Sequence, residues 1–154
     1  MIDLLKNLVR SSNMNIFYFE DNPGDVRLLQ EMLNEGFKNN YELNSSESLK
    51  EGLGKLNKYE PDIILLDLNL TDSIGERTYD QLSNNYSHIP TVIVSGNRNQ
   101  DIALKLVEKG AQDYIVKGMI NSDSLFRIIN YSIERKEKEI QIKHLNSVLK
   151  ILRN

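Results

Sequence analysis

The sequence predicts a doubly wound α/β domain, with a five-stranded parallel sheet covered by helices on both faces. Three observations lead there. Apolar runs of strand length alternate with segments of helical spacing from one end of the chain to the other. The two strongest runs, DIILLDL behind Pro61 and TVIVSG behind Pro90, are continuous rather than alternating, as strands buried on both faces require. Finally, 154 residues with 40% hydrophobic and 27% charged side chains suit one ordinary globular core.

Residues Met1–Met14 carry Ile2, Leu5, Leu8 and Val9 at approximate helical spacing and predict an amphipathic N-terminal extension. The first strand is Asn15–Phe19 (NIFYF). The first helix runs over Asp25–Asn34, with Val26, Leu29, Met32 and Leu33 on one face, Asn22 as its cap and Pro23 in its first turn. A weaker strand, Tyr41–Ser45, precedes a helix over Leu49–Lys58 that Ser48 caps and whose apolar positions are Leu49, Leu53 and Leu56. Strand three is the run after Pro61, followed by a helix over Tyr79–Tyr86. Strand four is the run after Pro90, followed by a helix over Ile102–Lys109 that Gly110 closes. Strand five is Asp113–Val116, and from Asn121 a last helix meets no breaker before Asn154.

Composition removes several classes of function. With no cysteine there is no disulfide framework, thiolate metal site or cysteine nucleophile, and two histidines, His88 and His144, exclude a histidine-rich metal site. A net charge of −3 provides no global positive field for nucleic acid or anionic lipid. The leader MIDLLKNLVRSSNM is too charged for a signal-peptide core, and no apolar run is long enough to span a membrane, so a cytoplasmic location is expected.

In a doubly wound sheet the functional crevice lies at the carboxyl ends of the strands. The first strand ends in Glu20 and Asp21, the third in Asp67, the fourth in Ser95 and the fifth in Lys117. Wet strand ends account for any one of these residues; the set as a whole is harder to dismiss. Carboxylates 4–5 Å apart repel by roughly 3–4 kcal/mol per pair at an effective dielectric of 20, so a cation must relieve them. Oxygen-only ligands favour Mg²⁺. Asp67, in the apolar setting IILLDLNL, can attack a phosphoryl group, Lys117 can neutralise the transferred oxygens, and Ser95 can hydrogen-bond one of them.

Taken together, FYFEDNPGD, PDIILLDLNLTDSIGE, TVIVSG and GAQDYIVKG make the chain from about Asn15 to Arg135 resemble a response-regulator receiver domain. The resemblance implies a CheY-like, flavodoxin-like (βα)5 fold with strand order 2-1-3-4-5, phosphorylated on one aspartate by a histidine kinase or phosphotransfer protein. Position by position, it makes Asp67 the phosphoacceptor, and gives Glu20, Asp21, Asp67 and the backbone carbonyl of Asn69 to Mg²⁺. Lys117 and Ser95 sense the phosphoryl group, and Tyr114 takes the place of the aromatic that turns inward on switching; the plain alternative for Tyr114 is a half-buried strand tyrosine. Asn69 and Asn97 occupy positions that tune phosphate lifetime. The chain departs from the family pattern at Glu20, commonly aspartate, and at Thr71 and Gly118, where proline is usual. Without that second proline the Lys117 peptide has no strong reason to be cis.

Rival readings lack a decisive residue. DLNLT at Asp67–Thr71 is similar to the nucleophile motif of haloacid-dehalogenase-like phosphatases, but Asn69 stands where such an enzyme needs its second acid. A receiver that binds partners without phosphorylation is disfavoured by the intact Asp67, Asp21 and Lys117, and flavin binding rests on fold analogy alone. The expectation is therefore a switch rather than a turnover enzyme.

The chain divides into an extension (1–14), a receiver (15–135) and a helical tail (136–154). Residues 1–120 hold 12 basic and 18 acidic side chains, and residues 121–154 hold 7 and 4. In the tail Ile142, Leu145, Leu149 and Leu152 follow 3-4-3 spacing, a short coiled-coil seam that suggests a homodimer through the terminal helices. Continuation into an output domain and action through a separate effector protein both remain open. Because Lys136, Lys138 and Lys143 alternate with Glu134, Glu137 and Glu139, the tail reads as a solvated helix and not as a nucleic-acid-binding surface.

Overall fold

The computed structural model describes residues 13–96 and 99–154. The N-terminal extension up to residue 12 and Asn97 lie outside them. The described chain alternates β1 (Met14–Phe19), α1 (Pro23–Phe37), β2 (Tyr41–Ser46), α2 (Leu49–Leu56), β3 (Ile63–Asp67), α3 (Glu76–Tyr86), β4 (Thr91–Ser95), α4 (Gln100–Glu108), β5 (Asp113–Val116) and α5 (Ser122–Arg153). The sheet is wholly parallel, in the order β2-β1-β3-β4-β5, as the resemblance implies.

Alternation of side chains along the strands feeds two separate cores. Phe17, Phe19, Ile64, Leu66 and Ile93 face α2, α3 and α4, where they meet Leu49, Leu56, Tyr79, Leu82, Ala103 and Leu106. Ile16, Tyr18, Ile63, Leu65, Val92 and Val94 face α1 and α5, where they meet Leu29, Leu33, Phe37, Leu125, Ile129 and Ile133. With apolar side chains needed on both faces, β1, β3 and β4 can have no polar alternation, which is why they read as continuous runs.

Local chemistry sets the helix boundaries. The Asn22 side chain accepts from the Gly24 N–H at 2.8 Å, Ser48 accepts from Glu51 N–H at 3.1 Å, and Asn121 accepts from Ser124 N–H at 2.9 Å. The α1 helix is longer than its apolar face predicts because the Asn22 cap and Pro23 start it two residues earlier, and Phe37 extends the buried face at its end. On the other face, Gly52 lets α2 lie against β1: a Cβ there would stand 2.0 Å from Cε1 of Phe19.

The last helix is anchored and then free. Arg135 pairs with Asp113 at 3.7 Å, and Gln112 donates from Nε2 to Glu139 at 3.1 Å. Every residue from Ile140 to Asn154 is exposed, Ile142, Leu145, Leu149 and Leu152 among them.

Candidate functional site

The strand order reverses between β1 and β3, so the crevice opens at their carboxyl ends. Register decides what meets there. Phe19 pairs with Leu66, which brings Glu20 beside Asp67; Asp67 pairs with Val94, and Ser95 with Val116, so Ser95 and Lys117 follow one step further along their strands.

At the centre stands the Lys117 ammonium. It donates to Asp67 Oδ2 at 2.5 Å, to Asp25 Oδ2 at 2.9 Å and to Glu20 Oε1. Asp67 is 6% exposed, and its other oxygen accepts from the Asn69 N–H at 2.8 Å. Glu20 is 1% exposed; its carboxyl also accepts from the Tyr18 hydroxyl at 3.1 Å and the Asp21 N–H at 3.1 Å. Burial pushes the Glu20 carboxyl up to about 8, a hydrogen bond shared with Asp67 adds to the rise, and Lys117 opposes it. For Lys117, burial works to lower the pKa, but hydrogen bonds to Asp67, Glu20 and Asp25 prevail and hold it above the ordinary lysine value. The Tyr18 hydroxyl is held well above its ordinary value by burial first and by the Glu20 charge second.

Of the residues expected at the strand ends, the structure brings Glu20, Asp67 and Lys117 into contact. Ser95 is buried beside them, its hydroxyl 3.5 Å from the Ile115 carbonyl and its own carbonyl accepting from the Lys117 N–H at 2.8 Å. The Asp21 side chain is exposed and, among the described residues, makes no hydrogen bond or ion pair. Tyr114 is half-buried and packs against the core on the α2–α4 side. Sequence reasoning missed Asp25 and Tyr18. Asp25 was detectable in principle, since the first turn of a helix that follows a strand end faces the same crevice.

The unusual loop residues each have a structural consequence. Thr71 donates from its hydroxyl (3.2 Å) and its N–H (3.4 Å) to the Glu47 carbonyl, and a proline has neither donor. The neighbouring Asp72 accepts from the N–H groups of Leu49 (2.7 Å) and Lys50 (2.9 Å), tying the β3–α3 loop to the start of α2. Gly118 follows Lys117 at φ +82°, in the left-handed region that proline cannot enter. No peptide bond among the described residues is cis.

The donor chemistry fits a hard cation. It is all oxygen, and three carboxylates, Glu20, Asp25 and Asp67, surround one ammonium. Among the described residues no three acidic, histidine or cysteine side chains are already arranged around a metal position, because Lys117 lies between the carboxylates and Glu20 is turned inward.

The family profile for "Response regulator receiver domain" matches residues 16–130. This chain belongs to that family. A receiver is a phosphoacceptor switch of two-component signalling and not a conventional enzyme, and receivers generally bind Mg²⁺ for phosphorylation. The receiver is 33% identical over 138 residues to the cell cycle transcriptional regulator CtrA of Caulobacter vibrioides (strain NA1000 / CB15N), a match covering 89% of this chain and 55% of that protein. It is 23% identical over 134 residues to hybrid signal transduction histidine kinase D of Dictyostelium discoideum, covering 86% of this chain and 8% of that one. Thus it spans about half the length of the first and a small part of the second. Among solved structures, the receiver domain protein (CheY-like) from Methanospirillum hungatei JF-1 superposes with a TM-score of 0.70 at 23% identity, over 83% of this chain and 99% of that one. The Clostridium thermocellum receiver domain gives 0.70 at 21% identity, over 80% and 97%. Both share its fold. No described helix is long and apolar enough to cross a membrane.

Proposed function

We propose that Asp67 of this receiver accepts a phosphoryl group from a phosphohistidine on a kinase or phosphotransfer protein, in a Mg²⁺-dependent reaction. The single observation that carries the reading is the Lys117 ammonium on Asp67 Oδ2 at 2.5 Å, beside Glu20 in the crevice at the carboxyl ends of β1 and β3. Glu20, Asp21, Asp67 and the Asn69 carbonyl would hold the Mg²⁺, which when bound draws charge from the phosphoryl oxygens. A P–O bond forms to Asp67 as the P–N bond of the donor breaks, and the imidazole leaves with the electron pair of that bond. Lys117 neutralises the added charge, and the Ser95 hydroxyl swings from the Ile115 carbonyl to a phosphoryl oxygen.

That movement of Ser95 leaves space which Tyr114, on the next strand, fills by turning inward, biasing the surface of α4, β5 and α5 toward a partner-binding state. The output is a downstream effector protein, a linked domain or a second copy paired through the terminal helices, with the receiver at 15–135 and the tail at 136–154. We place this activity in the cytoplasm, with no direct contact to nucleic acid or membrane.

Acetyl phosphate with Mg²⁺ is expected to add one phosphoryl group, detected by intact-mass spectrometry, and Asp67→Asn to abolish the addition. Modification that survives this substitution would overturn the assignment, and multiple turnover on a small phosphate ester would favour a phosphatase.

A further inference from the structure

Asp25 is outside the set of strand-end residues, yet it is one of the three carboxylates on Lys117. Its position is fixed locally: the Asn22 carbonyl accepts from the Asp25 N–H at 3.1 Å, and the Asn22 side chain caps the same turn of α1. From there Oδ2 reaches Lys117 Nζ at 2.9 Å across the crevice, linking the first turn of α1 to the loop after β5.

The three partners of Lys117 differ in depth. The Glu20 and Asp67 side chains are 0% and 9% exposed, whereas the Asp25 side chain is 31% exposed and lies at the rim. An ammonium and a divalent cation compete for the same carboxylate oxygens, because their like charges repel at short range inside a poorly solvated pocket. For a cation to enter, the lysine must release Glu20, and the one partner that lies away from the buried pair is Asp25.

We propose, on the basis of the receiver reading above, that Asp25 is a positioning residue for Lys117. It draws the ammonium toward the rim, so that the cation takes over Glu20 and the inner face of Asp67 without competing against the lysine. Asp25 itself touches neither the metal nor the phosphoryl group. When its charge is removed, Lys117 settles deeper on Glu20 and Asp67 and competes more strongly with Mg²⁺.

Titration calorimetry of the full chain with Mg²⁺ alone tests this through a double-mutant cycle, each variant being checked for its fold by circular dichroism. With Lys117 present, Asp25→Asn is expected to weaken Mg²⁺ binding roughly tenfold, the direct loss of a charge and the deeper lysine acting together. In the Lys117→Gln background only the direct loss remains, and the same substitution should cost no more than about threefold. Asp25→Glu, which keeps a carboxylate on that turn, should recover most of the affinity. Equal factors in the two backgrounds would make Asp25 a metal ligand, a through-space charge or a merely structural residue, and would overturn the positioning role while leaving the receiver reading intact. A loss in Asp25→Glu as large as in Asp25→Asn would also overturn it. Absence of Mg²⁺ binding to the wild-type chain would instead overturn both.

Discussion

Lys117 holds Asp67 by one oxygen, at 2.5 Å, while the other oxygen is held at 2.8 Å by the backbone N–H of Asn69. The two oxygens of this buried carboxylate are therefore inequivalent. One is bound by its own loop, and the other faces a side chain that must move before anything else can approach it.

Lys117→Met should expose the electrostatic cost of that arrangement. Removing one partner of a buried charge pair typically destabilises by about 3–5 kcal/mol; with Lys117 29% exposed, roughly 2–3 kcal/mol is expected in urea unfolding with a chelator present. Added Mg²⁺ should restore more stability to this variant than it gives the wild type, because the cation then relieves Glu20 and Asp67 without a competitor.

Gly52→Ala places a methyl carbon 2.0 Å from Cε1 of Phe19, so the α2 backbone or the fully buried ring must shift. A loss of about 1–3 kcal/mol is expected, read as a lower urea midpoint. Because Phe19 directly precedes Glu20, Mg²⁺ affinity should fall with it, whereas Gly54→Ala on the same helix, where the added carbon meets nothing within 4 Å, should leave both unchanged or slightly improved.

Asp72→Ala removes a carboxylate from the start of α2. Slight burial raises the Asp72 pKa, but hydrogen bonds from Lys50 N–H and Leu49 N–H outweigh it and leave the pKa below the ordinary aspartate value. A group whose pKa is depressed on folding stabilises above its unfolded value and loses that contribution as pH falls through the folded one. Because Asp72 is exposed and solvent screens its charge, the variant should be less stable at neutral pH by no more than about 0.5 kcal/mol, and the difference should shrink as the solution is acidified below the Asp72 folded pKa. Chemical denaturation across that range checks both the sign and the window.

The tail supplies the fourth expectation. Light scattering with beryllofluoride and Mg²⁺ should show the wild-type chain moving from monomer to dimer, and the double substitution Leu145→Glu, Leu149→Glu should remain monomeric while still binding beryllofluoride. The seam is short, only four exposed apolar positions, so the dimer should dissociate readily on dilution.

Much of this architecture was legible because β1, β3 and β4 are buried on both faces and have no polar alternation to obscure them. The crevice was legible for the same reason: a charged residue at the end of such a run, as at Glu20 or Asp67, stands out. Asp25 was legible only as an acid in a first helical turn and Thr71 only as a departure from the family pattern; the role of neither was. What matters about them is a partner far away in sequence, Lys117 for the first and the Glu47 carbonyl for the second, while their neighbours suggest only a helix cap and a loop. The register of β1 against β3 also had to be seen, since it is what places Glu20 beside Asp67 and lets one lysine hold both.

The last helix contains 32 residues, and its final core side chain is Ile133. From there to Arg153 the helix extends by about 30 Å, at roughly 1.5 Å per residue. Its root is held by Arg135 on Asp113 and by Glu139 on Gln112, both partners lying at the start of β5. The free part is thus a lever whose fulcrum rests on the same strand that carries Tyr114. A rocking of that fulcrum by about 10° would swing the far end by roughly 4 Å, enough to bring a leucine into or out of register with whatever it meets.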